Sequence, residues 1–263
     1  MTTPLRLRRR RLFTPVRDYL HPDTGRRVSV VITHHFGEQS YYDELRTVVD
    51  RRAIGGAVVL CEGTTTVAFD PASMTDPERD ALHAVTDARR LHAERVALLG
   101  WVHQPDGLGW PPPWRVVDVS VLDMIRLLGP QVVTRQAAQA RTLMGFDSTN
   151  VAAVHRYRAM MAATLHRSAS RVGVLTRLRR SSGDAAMLHR RNGLALQAAD
   201  AVTSSGRDAV LVWGTEHFSG LHNGLRGWGY QLIAASWHTV GDVPHVRAEL
   251  LAARRAAQAH LGP

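Results

Sequence analysis

The 263-residue chain contains no lysine, a single cysteine and no long apolar run. Without lysine it can carry neither a Walker-type phosphate loop nor a Schiff-base lysine. Its one thiol, Cys61, excludes an internal disulfide, and no apolar stretch approaches the ~18–20 residues of a transmembrane helix. The basic N-terminus is not followed by the apolar core of a secretory signal. We therefore expect a cytoplasmic protein without a transmembrane segment.

Arginine supplies all 33 basic residues, and the net charge is +10. A charge of this size would normally suggest nucleic-acid binding. The arginines are scattered, however, and the use of arginine instead of lysine is typical of a GC-rich genome. The one dense run, Arg6 and Arg8 to Arg11, falls within a basic N-terminal arm, residues 1–12, which we expect to be mobile. A nucleic-acid partner is therefore not expected.

Short apolar runs rich in β-branched residues alternate with helical patterns along the rest of the chain. They predict buried strands at Arg27–Thr33, Ala57–Gly63, Val96–Val102, Ala209–Gly214 and Tyr230–Trp237. Residues 120–200 are predicted to be mostly helical, and a C-terminal amphipathic helix is expected to cover the sheet or a partner. The pattern predicts one α/β domain over residues 13–263, with a largely parallel central sheet flanked by helices and a helical insertion or cap between the early and late strands.

Polar side chains directly follow three of the predicted strands. The sequences are ITHHFG at 32–37, CEG at 61–63 and GTEHF at 214–218. Ligands of open α/β sheets bind in the crevice outside the carboxyl ends of the strands, where these three segments would meet. A glycine in each segment allows the backbone or a ligand to approach closely. The sequence therefore predicts a functional site at this edge of the sheet.

The side chains expected to define this site are His35, Glu62 and His217. Two imidazoles and a carboxylate can bind a catalytic metal, and the same groups can also act as general acid and base without one. A purely structural role is the alternative for each histidine, and a helix cap is the alternative for Glu62. We expect the neighbouring His34 and Glu216 to point away from His35 and His217. Glu38 is expected to start a helix and His222 to lie on a helix surface.

With these motifs in this order, the chain resembles the TraB/PrgY/GumN family, which is related to the Tiki metalloproteases. The family's early GTxHxG motif corresponds to residues 32–37, and its strand-end glutamate corresponds to Glu62. Its late GxxH motif and the Gly-Tyr step that follows correspond to residues 214–217 and 229–230. The resemblance extends over residues 13–230.

Weaker family features match Gln104, Asp118 and the pair Arg191-Asn192. Two positions depart from the family pattern. Ile32 replaces a glycine, which could crowd the loop beneath His35, and Arg190 replaces a glutamate.

The resemblance implies a divalent-metal-dependent peptidase that acts on a peptide substrate through a metal-activated water, with manganese, cobalt or zinc as the ion. The implied metal ligands are His35, Glu62 and His217. Glu216 is the candidate for proton transfer, Arg191 for oxyanion stabilisation and Asn192 for orienting a ligand or carbonyl. For Arg191 the alternative is an ion pair on a helix surface. Gln104 and Asp118 are candidates for supporting the ligands.

Two other functions remain open from the sequence. A metal-free hydrolase, similar to the more distant erythromycin-esterase-like enzymes, would use His35 as general base, oriented by Glu62. A non-catalytic peptide-binding or sequestering protein would keep the fold and the crevice, as some relatives linked to peptide pheromone signalling do. The sequence also leaves open whether the chain forms a homo-oligomer.

Overall fold

The computed structural model describes residues 4–63, 71–170 and 182–259. The strands are β1 (Arg6–Arg8), β2 (Arg11–Leu20), β3 (Arg27–Thr33), β4 (Phe36–Gly37), β5 (Val58–Cys61), β6 (Val102–His103), β7 (Arg115–Val116), β8 (Ala209–Gly214) and β9 (Gln231–Asp242). The helices are α1 (Gln39–Ile54), α2 (Asp76–Ala97), α3 (Gln104–Leu108), α4 (Val121–Leu128), α5 (Pro130–Met144), α6 (Val151–Ala169), α7 (Ser182–Ser204), α8 (Phe218–Gly227) and α9 (Val246–Ala259).

Within these ranges, seven strands form one sheet in the order β1-β2-β3-β8-β5-β7, with β9 also paired to β2. The ladders between β3, β8, β5 and β7 are parallel. The ladders that join β2 to β1, β3 and β9 are antiparallel. The predicted α/β class, with helices flanking a sheet that contains a parallel core, is confirmed.

Strand β8 lies at the centre of the parallel part, between β3 and β5, and all six of its residues are buried. Its side chains alternate between two hydrophobic cores on opposite faces of the sheet. Val210 and Val212 belong to one core, and Leu211 and Trp213 belong to the other. A strand covered on both faces needs an unbroken apolar run, which is why the predicted bounds of β3 and β8 are confirmed.

The prediction of a separate basic arm over residues 1–12 is wrong for the described part of it. Residues 6–8 form β1, which pairs with the start of β2 as a hairpin. Arg9 and Arg10 occupy the turn with φ of 48° and 65°, as a two-residue hairpin turn requires. Leu5 and Leu12 are buried while the arginines between them face solvent. The arginine run concealed this alternation.

Strand β2 was not predicted because it contains Pro15 among polar residues. Its ladder with β1 ends at Phe13, and its ladder with β3 begins at Val16. Pro15 therefore lies in a gap between two ladders, where a residue without an N–H is accommodated more easily. It still pairs with Trp237 of β9 on the other side.

Two other strand predictions need correction. Of the predicted strand Val96–Val102, the first residues complete α2, and only Val102 joins the short strand β6. Val96 and Leu99 are both buried in one hydrophobic core, and this burial favours continuing the helix through Ala97. The turn that follows ends at Gly100, which has a φ of 76°. The predicted strand Tyr230–Trp237 exists as the longer β9, but it is antiparallel and largely exposed.

The helical region predicted between the early and late strands is confirmed as α4 to α7, apart from residues 171–181, which lie outside the described ranges. The C-terminal helix α9 packs against α6 and does not lie on the sheet. None of the helices in the described ranges has the length and apolar character required to cross a bilayer.

Glu249 joins α9 to α6. Its carboxylate lies 2.6 Å from His155 Nδ1 and accepts a hydrogen bond of 2.9 Å from Arg158 Nε. Burial opposes ionisation, but the hydrogen bonds from His155 and Arg158 outweigh it and lower the pKa of Glu249. The stabilisation from this ion pair is therefore present above the normal pKa of a glutamate and is lost as the pH falls through the lowered value.

We expect Glu249→Gln to reduce the free energy of unfolding by about 2 kcal/mol at neutral pH, because it removes a charged hydrogen-bond acceptor. The difference from the parent protein should shrink on acidification, as the parent loses the same charge. Denaturant melts between neutral and acid pH measure both effects. Asp23→Asn, at an exposed position, is the control and should leave the pH dependence unchanged. A constant difference at all pH values would contradict the assignment.

Candidate functional site

Four neighbouring strands of the sheet end at the same edge. His35 follows β3 and β4 begins directly after it, His217 ends the turn after β8, and Glu62 follows β5 directly. Asp118 follows β7, the outermost parallel strand. Because β3, β8, β5 and β7 are parallel neighbours, the residues that follow them share one crevice, as the sequence predicts.

Glu62 lies at the centre of this site and is 5% exposed. Its Oε1 accepts a hydrogen bond of 3.3 Å from Gln104 Nε2. Its Oε2 lies 3.5 Å from His217 Nε2 and 3.6 Å from Arg191 Nη2, and it accepts no hydrogen bond from the described residues. A buried carboxylate oxygen without a hydrogen-bond donor indicates a place for a cation, a proton or a substrate group.

His217 is oriented by Asn192. The ring is 2% exposed, and its Nδ1 lies 2.8 Å from Asn192 Oδ1. An amide oxygen only accepts hydrogen bonds, so Nδ1 carries a proton, and Nε2 faces Glu62 Oε2 at 3.5 Å. A ring nitrogen that donates to a fixed acceptor is also usual in metal-binding histidines, where this contact orients the imidazole.

Glycines provide the space for this arrangement. A Cβ atom on Gly214 would lie 2.9 Å from Glu62 Oε1, and one on Gly220 would lie 2.7 Å from Asn192 Cγ. Gly214 ends β8, and Gly220 is on the first turn of α8. Both positions therefore need glycine because the side chains of Glu62 and Asn192 pack directly against the backbone.

We expect Gly220→Ala to displace the Asn192 side chain and to break its hydrogen bond with His217. Loss of such a supporting contact typically costs about 10–100-fold in metal affinity or activity. Gly227→Ala in the same helix is the matched control, because its Cβ would meet no atom within 4 Å. Turnover and thermal unfolding of both variants should be compared. Equal turnover in the two variants would show that the Asn192–His217 contact has no functional role.

Arg191 forms a buried ion pair with Asp118. Nε and Nη2 donate to the two carboxylate oxygens at 2.8 and 2.6 Å, and the Asp118 side chain is fully buried. The backbone N–H groups of Gly63 and Val119 also donate to Asp118. Burial alone would lower the pKa of Arg191, but the bonds and charges of Asp118 and Glu62 outweigh it and raise the pKa. Arg191 is therefore a fixed cation, in a partly buried ion pair and not in the surface ion pair considered from the sequence.

His35 reaches the centre of the site through Gln104. The ring is exposed, and its Nδ1 lies 3.2 Å from Gln104 Oε1, while the amide nitrogen of Gln104 donates to Glu62. The backbone N–H of Gln104 also donates to the carbonyl of His35 at 2.8 Å. Strands β4 and β6 pair immediately beside these two residues and fix them together. Gln104 therefore bridges His35 and Glu62.

Two of the three predicted metal ligands lie close together. His217 Nε2 is 3.5 Å from Glu62 Oε2. No group of three His, Cys, Asp or Glu side chains within the described ranges has the geometry to hold a metal ion. The predicted ligand set is therefore assembled only in part, with His35 held apart by Gln104.

The other residues considered from the sequence lie around this centre. The imidazole of His34 contacts the carbonyl of Phe36 instead of the site, and burial lowers its pKa to about 4. Glu216 is half-buried in the turn just before His217. The roles of Glu216 in proton transfer and of Asn192 in orienting a ligand or carbonyl stay predictions.

Glu38 is the N-cap residue of α1, as expected, but its side chain does not cap the helix and instead accepts a hydrogen bond from the N–H of Asp242. His222 is half-buried and contacts the Tyr19 hydroxyl at 2.7 Å, so it is not simply a surface residue. Ile32 is fully buried in the core on the side of α7 and α8, so it does not crowd the loop of His35. Arg190 is exposed.

Two histidines near the site were not identified from the sequence. His103 directly precedes Gln104, and its ring centroid lies 5.9 Å from that of His92 on α2. Burial, together with the charges of His103 and His35, lowers the pKa of His92 to about 4. No periodic pattern indicates these residues, and only the position of His103 beside Gln104 could have suggested one of them.

No family model matches the chain, and no curated protein or solved structure matches it either. The resemblance to the TraB/PrgY/GumN family therefore stays a prediction that depends on the motifs quoted above.

Proposed function

We propose that the protein is a hydrolase whose reaction centre is the Glu62–His217 pair, and that its substrate is a peptide. The observation that supports this most directly is the buried Glu62 Oε2, which has no hydrogen-bond donor among the described residues and lies 3.5 Å from His217 Nε2. Buried polar groups are almost always satisfied by protein or water, so an exception at the carboxyl edge of a parallel sheet favours a binding or catalytic role.

In the proposed reaction, water loses a proton to this pair and attacks the carbonyl carbon of the scissile bond. The carbon–nitrogen bond then breaks, and the proton passes to the departing amine. Asn192 keeps the imidazole oriented throughout, because its oxygen holds Nδ1–H at 2.8 Å. Arg191 balances the charge of Glu62 from 3.6 Å and is itself held by Asp118.

We include a divalent ion, manganese, cobalt or zinc, in this proposal, with His217 and Glu62 as ligands and His35 as the third candidate. When bound, such an ion lowers the pKa of a water ligand and polarises the carbonyl. The choice of a peptide substrate and of the ion is supported by the family resemblance and by the chemistry of the two converging donors. Location in the cytoplasm belongs to the same proposal, since the buried, unpaired Cys61 requires no oxidising compartment.

A metal-free hydrolase is the second candidate, and one observation favours it. The guanidinium of Arg191 already lies 3.6 Å from Glu62 Oε2, so a permanent cation partly fills the role of a metal ion. In this version Glu62 and His217 act as base and acid without an ion. The exposed His35, connected to Glu62 through Gln104, would then face the substrate.

Elemental analysis and calorimetric titration of the metal-stripped protein with manganese, cobalt and zinc distinguish the two candidates. We expect about one ion per chain, and His217→Gln should abolish the binding. His83→Gln, at an exposed position on α2, is the control and should bind as the parent does. Hydrolysis of a mixed peptide library, followed by mass spectrometry with and without metal, tests catalysis. Peptide binding without any cleavage would instead support a non-catalytic sequestering protein.

A further inference from the structure

Arg17 of β2 is a buried cation that the catalytic proposal does not use. Its side chain is only 9% exposed, and its Nε donates no hydrogen bond to any described residue. The carboxylate of the next residue, Asp18, accepts two hydrogen bonds from Arg52 instead. An arginine stays charged in proteins, and buried charges are normally paired. Arg17 therefore lacks, among the described residues, the partner that a buried cation usually has.

The ring of Phe218 gives Arg17 only partial compensation. Cζ of Arg17 lies 5.7 Å from the centroid of this ring, within the range of a cation–π contact. Such a contact attracts the positive charge, but it leaves the Nε–H group without a hydrogen-bond acceptor. Buried donors without an acceptor are rare in proteins because they cost free energy. The arrangement therefore favours an acceptor that comes from outside the chain.

Positive charge accumulates around Arg17 on the side of α8. Tyr19 lies two residues further along β2, on the same face of the sheet, and its hydroxyl is 2.7 Å from His222 Nδ1. Burial lowers the pKa of His222, and the charges of Arg17 and Arg226 lower it further. His222 and Arg226 are four residues apart on α8, so they lie on one side of the helix. An anion near Arg17 would therefore meet several groups that attract it.

Ala235 of β9 leaves room for access to Arg17. The two residues are directly opposite each other in the ladder between β2 and β9, so their side chains lie on the same face of the sheet. Ala235 is exposed, and its methyl group is too small to cover a guanidinium. A small anion can therefore approach Arg17 from the side of β9.

We propose that Arg17, His222 and Arg226 form a binding site for a small oxyanion, the phosphate or carboxylate group of a ligand, between β2 and α8. The planar guanidinium of Arg17 would donate to two oxygens at once, a geometry that suits both groups. Arg226, which is exposed, would add positive charge at the surface. The site uses none of the residues of the proposed reaction centre and goes beyond the proposed hydrolase function.

Calorimetric titration of the metal-stripped full chain with inorganic phosphate and with acetate, at constant ionic strength, tests the proposal. We expect saturable binding that Arg17→Met weakens at least about tenfold, because it removes the charged hydrogen-bond donors. Arg226→Gln should weaken it about two- to threefold, as expected for an exposed charge. Arg255→Gln, exposed on α9, makes the same charge change and should bind as the parent does. Tighter binding of phosphate identifies a phosphate ligand, and tighter binding of acetate identifies a carboxylate.

A carboxylate introduced beside Arg17 gives a second test, which holds even if Arg17→Met fails to fold. Ala235→Glu should melt at a higher temperature than Ala235→Gln, because only glutamate supplies the missing negative charge. Ala235→Glu should also lose phosphate binding, whereas Ala235→Gln should retain it.

Three results would overturn the proposal. The first is a parent protein that binds neither phosphate nor acetate. The second is a folded Arg17→Met protein that binds them as the parent does, since the anion would then lie elsewhere. The third is equal melting of Ala235→Glu and Ala235→Gln. These measurements follow binding and stability only, so they do not depend on the proposed hydrolase function.

Discussion

Replacing Glu62 with glutamine is expected to reduce hydrolysis by orders of magnitude while leaving the fold intact. Glutamine is nearly isosteric, and its amide oxygen can still accept the hydrogen bond from Gln104. The change removes the negative charge that lies 3.5 Å from His217 Nε2. It also removes a good ligand for a divalent ion and the group proposed to accept a proton.

The fold should tolerate Glu62→Gln because Arg191 keeps its bidentate partner Asp118. We expect a change in stability of no more than about 1–2 kcal/mol, comparable to that of one hydrogen bond to a charged group. A thermal melt and a peptide-hydrolysis assay with excess metal should be made on the same preparations. Glu94→Gln, at an exposed position on α2, is the matched control and should retain full activity. Normal turnover in a folded Glu62→Gln protein would rule out the hydrolase proposal.

Removing Asp118 is expected to have the largest effect on stability. Asp118→Ala leaves the guanidinium of Arg191 partly buried, with Glu62, 3.6 Å from Arg191 Nη2, as the nearest carboxylate among the described residues. It also removes the acceptor for the N–H groups of Gly63 and Val119. Breaking a buried ion pair by removing one partner typically costs about 3–5 kcal/mol. Denaturant unfolding of the purified variant measures this loss.

A double-mutant cycle separates the ion pair from its surroundings. The variants are Asp118→Ala, Arg191→Ala and the combination of both. We expect the double variant to be more stable than the sum of the single effects predicts, with a coupling of about 2–3 kcal/mol. The exposed pair Arg11–Asp242 is the matched control, with side chains 62% and 70% exposed, and its coupling should stay below about 1 kcal/mol. Additive effects at Asp118 and Arg191 would contradict the assigned coupling.

The parts of the fold that were predictable are those for which burial alone determines the residue types. Strands β3 and β8 are covered on both faces, so their apolar runs mark them over their full length. Strand β2 has Pro15 in its interior and was missed, since only the gap between the β1 and β3 ladders makes that proline acceptable. Local patterns contain no information about such gaps.

The candidate site divides in the same way. Its position was predictable because parallel strands place the residues that follow them at one edge, and His35, Glu62 and His217 do lie there. The connections between them were not predictable. Gln104 bridges His35 and Glu62 because a two-residue ladder between β4 and β6 places it beside His35. Such contacts join residues far apart in sequence.

The order of the strands also determines when this protein can fold during its synthesis. β3 and β5 leave the ribosome early, yet they are not neighbours in the sheet, because β8 lies between them. A nascent chain that has not reached Ala209 therefore exposes two apolar strand edges that lack their common partner. His217 follows the same late strand, so the crevice cannot form before the sheet is complete. About four fifths of the 263 residues precede β8, and until it is added the exposed apolar edges of β3 and β5 favour aggregation of the incomplete chain.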